Sequence, residues 1–149
     1  MLTAHSGPSL EFREATLGDE AEVWPLADAL ATSCRPTRAR FADSFATIVR
    51  DTHSTILIAT RESEIAGYVH VLTHPAFHAD GSIGWIEELM VRESERGRGC
   101  GRALVAEAER WALAKDDIAY MALATRRAGE FYRSIGYDES ATYFKSTFR

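Results

Sequence analysis

The chain is poor in most features that mark a specialised class. It has only two cysteines, Cys34 and Cys100. That is too few for a disulfide framework, and they are not spaced as a metal knuckle, so both read as free thiols. No apolar run approaches the ~20 residues that span a bilayer. The opening "MLTAHSGPSL" lacks the basic and apolar regions of a secretory signal. Positive charge is not in excess either: 17 Lys and Arg stand against 22 Asp and Glu, a net charge of −5, whereas a nucleic-acid binder would carry a net basic footprint. No repeat, linker or low-complexity tract divides the sequence. These absences leave one expectation, a cytoplasmic protein with neither membrane nor nucleic acid as partner, whose acidity suits a cationic small molecule.

At 149 residues, 46% of them hydrophobic and 26% charged, the chain has the composition of one soluble domain. That length buries roughly two-thirds of the unfolded surface. The domain is expected to span 1–149, with 1–9 a loose N-terminal tail. "LEFREAT" alternates apolar and charged residues as a strand does. Asp19 is placed to cap a helix carrying Val23, Leu26, Ala27 and Leu30 at three-four spacing, in which Pro25 should cause a kink or a break. Thr37 is placed to cap a second helix with Phe41, Phe45, Ile48 and Val49 on one face. "STILIAT" and "EIAGYVHVLT", joined by the polar "RESE", read as a hairpin. His70, His74 and His78 would align on a helix, but they fall on a strand and a Pro-containing loop, so no metal site is expected.

"GSIGWIEELMV" is a further strand. A helix follows from Gly101 to near Lys115, with Leu104, Val105, Ala108, Trp111 and Ala112 as its apolar stripe. "IAYMALAT" reads as a strand, "RRAGEFYRSIG" as a short helix closed by Gly136, and "TYFKSTF" as a last strand. The predicted fold class is therefore α/β (α+β), a mixed and mostly antiparallel sheet in the order β-α-α-β-β-β-α-β-α-β.

Between the third of these central strands and the long helix lies "RESERGRGCGRAL", with four arginines and three glycines in an acidic chain. Gly97, Gly99 and Gly101 allow backbone amides to face outward with no side chain in the way. The helix N-terminus adds about half a positive charge, and Arg96, Arg98 and Arg102 add whole ones, so a diphosphate is the natural ligand. A Walker loop would need Gly-Lys followed by Ser or Thr, and a dinucleotide fingerprint would need a further glycine; Arg102, Ala103 and Leu104 exclude both.

"LMVRESERGRGCGRALVAEAE" resembles the acetyl-CoA signature of the GNAT N-acetyltransferase superfamily, Q/R-x-x-G-x-G/A, at Arg96, Gly99 and Gly101. "TRRAGEFYRSIGY" is similar to that family's later motif at Ala128, Phe131, Tyr132 and Gly136, with Tyr137 in place of Phe and Thr125 in place of Asn. The resemblance implies a pair of splayed central strands that admit acetyl-CoA as co-substrate, no metal, and often a homodimer. It implies cofactor contacts from Leu89, Met90 and Val91, from the turn residues Arg96, Gly97, Arg98, Gly99, Cys100, Gly101 and Arg102, and from Thr125, Ala128 and Tyr132.

Amine acetylation needs the incoming ammonium neutralised and the leaving thiolate protonated. An amine of pKa about 10.4 gives up its proton at neutral pH at a cost of roughly 4 to 5 kcal/mol. Glu87 and Glu88 are the candidate bases. Alternation places Glu87 with Leu89 and Val91 and Glu88 with Met90, but the resemblance implies a bulge near Leu89 to Val91 that breaks such parity. Related aminoglycoside-type sequences carry a Glu four residues before the Val, which favours Glu87. The resemblance makes Tyr132 the general acid. A ribosomal-protein acetyltransferase would carry a Glu where this chain has Tyr120. His70 is a further possible base, although a lone strand histidine is more often structural. Cys100 lies in the turn, away from the expected sulfur, and the helix N-terminus should raise its reactivity. The acceptor region spans Asp19 to Asp51 and His74 to Gly81; Asp28, Asp43, Glu87 and Glu88 favour a small cationic amine. The rival readings are a catalytically silent acyl-CoA-binding sensor module and an acetyltransferase acting on a protein amine.

Overall fold

The computed structural model describes residues 7–31 and 34–149. Of the expected N-terminal tail, residues 1–6 lie outside the described residues, and 7–9 are exposed without regular structure. The elements are β1 (Glu11–Glu14), α1 (Glu20–Leu30), α2 (Arg38–Arg50), β2 (Ser54–Arg61), β3 (Glu64–Ala76), β4 (Gly81–Val91), α3 (Cys100–Lys115), β5 (Ile118–Leu123) and α4 (Gly129–Ser134). The five strands form one sheet in sequence order, antiparallel except for the parallel pair β4–β5. None of the helices described is long and apolar enough to cross a membrane.

The unbroken apolar run of β2 has a direct cause: helices cover both faces of the sheet. On one face Leu57, Ala59, Val69, Val71 and Ile86 pack against Leu104, Val105 and Ala108 of α3. On the other, Ile56, Ile58, Ile65 and Tyr68 pack against Val23, Leu26 and Ala27 of α1 and Phe45 of α2. Phe45 is 1% exposed, and burial on that scale contributes about 2 to 3 kcal/mol per large side chain. A surface pair such as Arg110–Glu107, at 2.8 Å, contributes about 0.5 kcal/mol. The two-sided apolar core therefore holds the sheet. Between β2 and β3, Glu62 and Ser63 have φ of 51° and 68°. This is a two-residue turn with both central residues left-handed, which suits the twist of the strands it joins.

Three expectations need correction. Asp19 does not cap α1 with its side chain. Instead it turns back to accept from the Thr16 amide at 2.8 Å and from two nitrogens of Arg13, each at 2.8 Å. A bidentate charged partner outcompetes a helix N–H. Nor does Pro25 break its helix, which runs on from Glu20 to Leu30; Ala21, whose carbonyl loses a helical partner, is exposed and can bond to water. Finally, "TYFKSTF" forms no strand. Among the described residues β5 has no partner on its outer edge, and Tyr143, Phe144 and Phe148 remain 66%, 88% and 95% exposed. Alternation prepares a segment for a ladder but does not by itself make one, and this segment leaves the open edge of β5 unpaired.

The Arg13 guanidinium, aided by the Thr16 amide, holds the Asp19 carboxyl at about 2 against an ordinary 3.8. A lowered carboxyl pKa stabilises the fold fully above the unfolded value, and that stabilisation is lost as pH falls toward the folded value. Asp19→Asn is expected to reduce stability by about 1 kcal/mol at neutral pH. In thermal melts the gap to wild type should hold down to pH 4 and close between pH 4 and 2; a gap independent of pH would show that the ion pair is not its source.

Candidate active site

β4 is paired unequally on its two edges. Against β3 it pairs from Gly81 to Val91, but against β5 only from Ser82 to Ile86. Beyond Ile86 the parallel partner turns away, so the edge of β4 from Glu87 to Val91 is open. This is the splay the motifs imply, and backbone groups along it, apart from the Val91 carbonyl that accepts from Arg96, have no strand partner on that side.

A bulge interrupts the same strand. His70 pairs with Glu88 and Val71 with Ile86, so Glu87 is the extra residue. It lies upstream of the segment Leu89 to Val91, where the resemblance placed it; those three pair regularly with Val69, Tyr68 and Gly67. The bulge overturns simple parity. Ile86, Leu89 and Val91 face the α3 core, whereas Met90 packs on the α1–α2 core. Alternation on each side of the extra residue then turns Glu87 and Glu88 to the same face, that of α1 and α2. The Trp85 indole donates to Glu87 at 2.9 Å, and the Tyr68 hydroxyl donates to Glu88 at 3.3 Å. The Glu88 carboxyl is pushed up, first by burial of the charge and also by Glu87, with the Tyr68 hydrogen bond opposing. Neither glutamate forms an ion pair with a described residue.

From the opposite face comes Tyr132, 8% exposed and packed edge-on against Phe131 and Tyr137 with ring centroids at 5.0 and 5.8 Å. Burial raises its pKa, so the phenol keeps its proton at neutral pH. α4 ends at a left-handed Gly136, φ 96°, where the Tyr137 amide returns to the Tyr132 carbonyl at 3.0 Å. The Tyr137 hydroxyl donates to Glu109 of α3 at 2.8 Å. Tyr132 is thus held at the C-terminal end of its helix.

A cleft of about 1590 Å3 opens where β4 and β5 part. Its lining brings together Glu87, Thr125 and Tyr132, along with Trp85, Arg126, Arg127 and Arg133. Leu89 to Val91, the turn from Arg96 to Arg102, and Ala128 are not in that lining. They lie along the open edge, at the start of α3 and at the start of α4. Thr125 accepts from the Ala128 amide at 3.1 Å, which leaves its hydroxyl proton free to donate. Sequence reasoning missed Trp85 and the arginine pair. Trp85 could have been found two residues before Glu87, on the same strand face.

The three glycines of the turn are not equivalent. Gly97 and Gly99 have φ of 74° and 83°, with nothing within 4 Å of where a Cβ would stand. A Cβ on Gly101 would meet the Phe131 ring at 3.4 Å and Val91 at 3.7 Å, ordinary van der Waals contact, so this position lies against α4 without needing a glycine for space. No side chain caps α3 and its first turn carries no acidic residue, so its amides stay available to an anion. Arg96 donates to the Val91 carbonyl at 3.3 Å, and Arg98 pairs with Glu95 at 3.4 Å. Arg102 is exposed.

Cys100 runs against expectation. It is 1% exposed, and burial, followed by the charge of Glu95, pushes its thiol up to about 11. Desolvation outweighs the helix terminus. Cys34 is exposed. A water-soluble disulfide reagent at pH 8 is expected to label Cys34 promptly and Cys100 only after denaturation; labelling of both at one rate would contradict the burial of Cys100.

The family model described as the acetyltransferase (GNAT) family matches residues 20–137. No curated protein sequence matches the chain. Among solved structures, the chain is similar to the aminoglycoside N-acetyltransferase AAC(6′)-Iy in complex with CoA, with a TM-score of 0.83, 16% identity and coverage of 98% of this chain and 99% of that one. It is similar to glucosamine-6-phosphate N-acetyltransferase from Arabidopsis thaliana, with a TM-score of 0.79, 19% identity and coverage of 95% and 99%. Ribosomal-protein-alanine N-acetyltransferase from Brucella melitensis biovar Abortus 2308 follows, with a TM-score of 0.76, 18% identity and coverage of 94% and 100%. At these identities the likeness is one of fold.

Proposed function

Because the chain belongs to the GNAT acetyltransferase family, we propose that it moves an acetyl group from acetyl-CoA directly to the primary amine of a small cationic molecule. One observation carries the reading. Glu87 and Tyr132 reach a single cleft from opposite faces of the sheet, at the point where β4 loses its parallel partner. Two substrates can meet there without a covalent enzyme intermediate.

The residues present fit a CoA diphosphate: uncapped amides at the start of α3, open space above Gly97 and Gly99, and Arg96, Arg98 and Arg102 beside them. The Thr125 hydroxyl and the open edge of Leu89, Met90 and Val91 suit the amide-bearing arm. The thioester supplies the activated acetyl group. Glu87, oriented by the Trp85 indole, takes a proton from the ammonium. Tyr132, neutral because it is buried, gives a proton to the departing thiolate.

The acceptor class follows from charge. Glu87 and Glu88 share one face and neither is engaged in an ion pair with a described residue, in a chain of net charge −5. Asp28 belongs less to this argument than its sequence position implies, since Arg35 pairs with it at 3.0 Å.

Calorimetry with acetyl-CoA should show binding; no heat at sub-millimolar cofactor would sink the assignment. Free-thiol release should appear with spermidine or kanamycin ahead of peptides bearing a free N-terminus. Cofactor binding with no turnover on any amine would favour the silent-module reading instead. Tyr132→Phe and Glu87→Gln are each expected to lower kcat about a hundredfold while leaving acetyl-CoA affinity near wild type.

A further inference from the structure

The proposed reaction has a proton balance that Glu87 and Tyr132 alone do not close. An amine entering as ammonium loses two protons on becoming an amide. One ends on the CoA sulfur through Tyr132, and the other must reach water before Glu87 can act again. Its route is visible in the register. His70 sits on β3 directly opposite Glu88, next to the residue extruded at Glu87. Directly opposed residues on an antiparallel pair have Cβ atoms about 5 Å apart. The bulge turns both glutamates to this face, so the imidazole and two carboxylates share one patch.

His70 is half-buried, and no described residue hydrogen-bonds its ring, in contrast to His74, which contacts the Pro75 carbonyl, and His78, which bonds Tyr120. The groups around it are few. β2 offers Ile56 opposite His70, β4 offers Glu87 and Glu88, β3 itself offers Tyr68 on the same face, and Asp51 acts on it from the end of α2. Burial lowers its pKa while Glu87 and Asp51 raise it, so the ring is neutral at pH 7 and able to accept.

We propose that His70 is the proton exit of this site, a positioning and relay residue that takes the proton from Glu87 and passes it to solvent. The ring and the Glu87 carboxylate share a face without a direct hydrogen bond, so the transfer runs through a water: the Glu87 O–H bond breaks, the water takes that proton and gives up one of its own as an imidazole N–H bond forms, and the imidazolium then gives its proton to bulk water, which restores the starting state. This rests on the reading of Glu87 as base, and the test separates the two.

Histidine-labelled protein gives the first arm by NMR, with no acceptor needed. In Glu87→Gln the His70 titration midpoint should fall, because an attracting charge has gone; an unmoved midpoint overturns the relay. Turnover of spermidine with acetyl-CoA gives the second. His70→Gln should lower kcat about tenfold or more, remove the acidic limb of the kcat–pH profile, recover in part with added imidazole, and leave acetyl-CoA affinity by calorimetry unchanged. An unaltered kcat and profile in His70→Gln, with Glu87→Gln inactive, overturns the relay and spares the base. Full activity in Glu87→Gln removes the base reading and the relay with it.

Discussion

The structure depends on one unequal strand. β4 is paired along its whole length on one edge and along only half of it on the other. A backbone edge buried without partners is costly, so an open one has to meet water or a ligand. Here it starts at the cleft, which Ile86 and Glu87 line, and the candidate site residues are arranged around that opening. The uncapped start of α3 lies at the far end of the strand, α4 brings Tyr132 from one face, and the bulge turns two carboxylates to the other.

The scaffold can leave this strand half-paired because it is held elsewhere. Its two faces are sealed by different helices, so the side chains of β2 and β3 are buried on both sides, and α3 presses Leu104, Val105 and Ala108 onto the sheet beside the opening. At the other end of the sheet, β1 reads Glu-Phe-Arg-Glu, and Arg13 is engaged by Asp19. Charges of that kind protect an edge strand from further pairing. β5 carries no such charges along Ile118–Leu123, and the aromatic residues Tyr143, Phe144 and Phe148 stay exposed.

Local electrostatics decide how the same residue types behave. Two tyrosines and two glutamates lie near one opening, but burial keeps Tyr132 a donor, and the Tyr68 hydrogen bond engages Glu88 while the Trp85 indole engages Glu87. Cys100 shows the same competition resolved the other way: a helix start favours the thiolate, burial disfavours it, and burial wins. Charge counts along a sequence cannot separate these cases, because each depends on what displaces water from the group.

The sequence by itself determined most of the elements and the family. Periodicity placed α2, α3 and the β2–β3 hairpin close to their observed bounds, since these elements bury a stripe or a face that must recur at 3.6 or 2 residues. The glycine spacing marked the turn before α3, because left-handed backbone at Gly97 and Gly99 is a local property. Three matters belonged to the tertiary structure alone. The final segment did not add to the open edge of β5, and Asp19 chose Arg13 over its own helix. Above all, the bulge at Glu87 put both glutamates and His70 on one face. Strand parity is readable from a sequence only while each residue has one partner, and an extra residue is defined by the register of the neighbouring strand rather than by the strand that holds it.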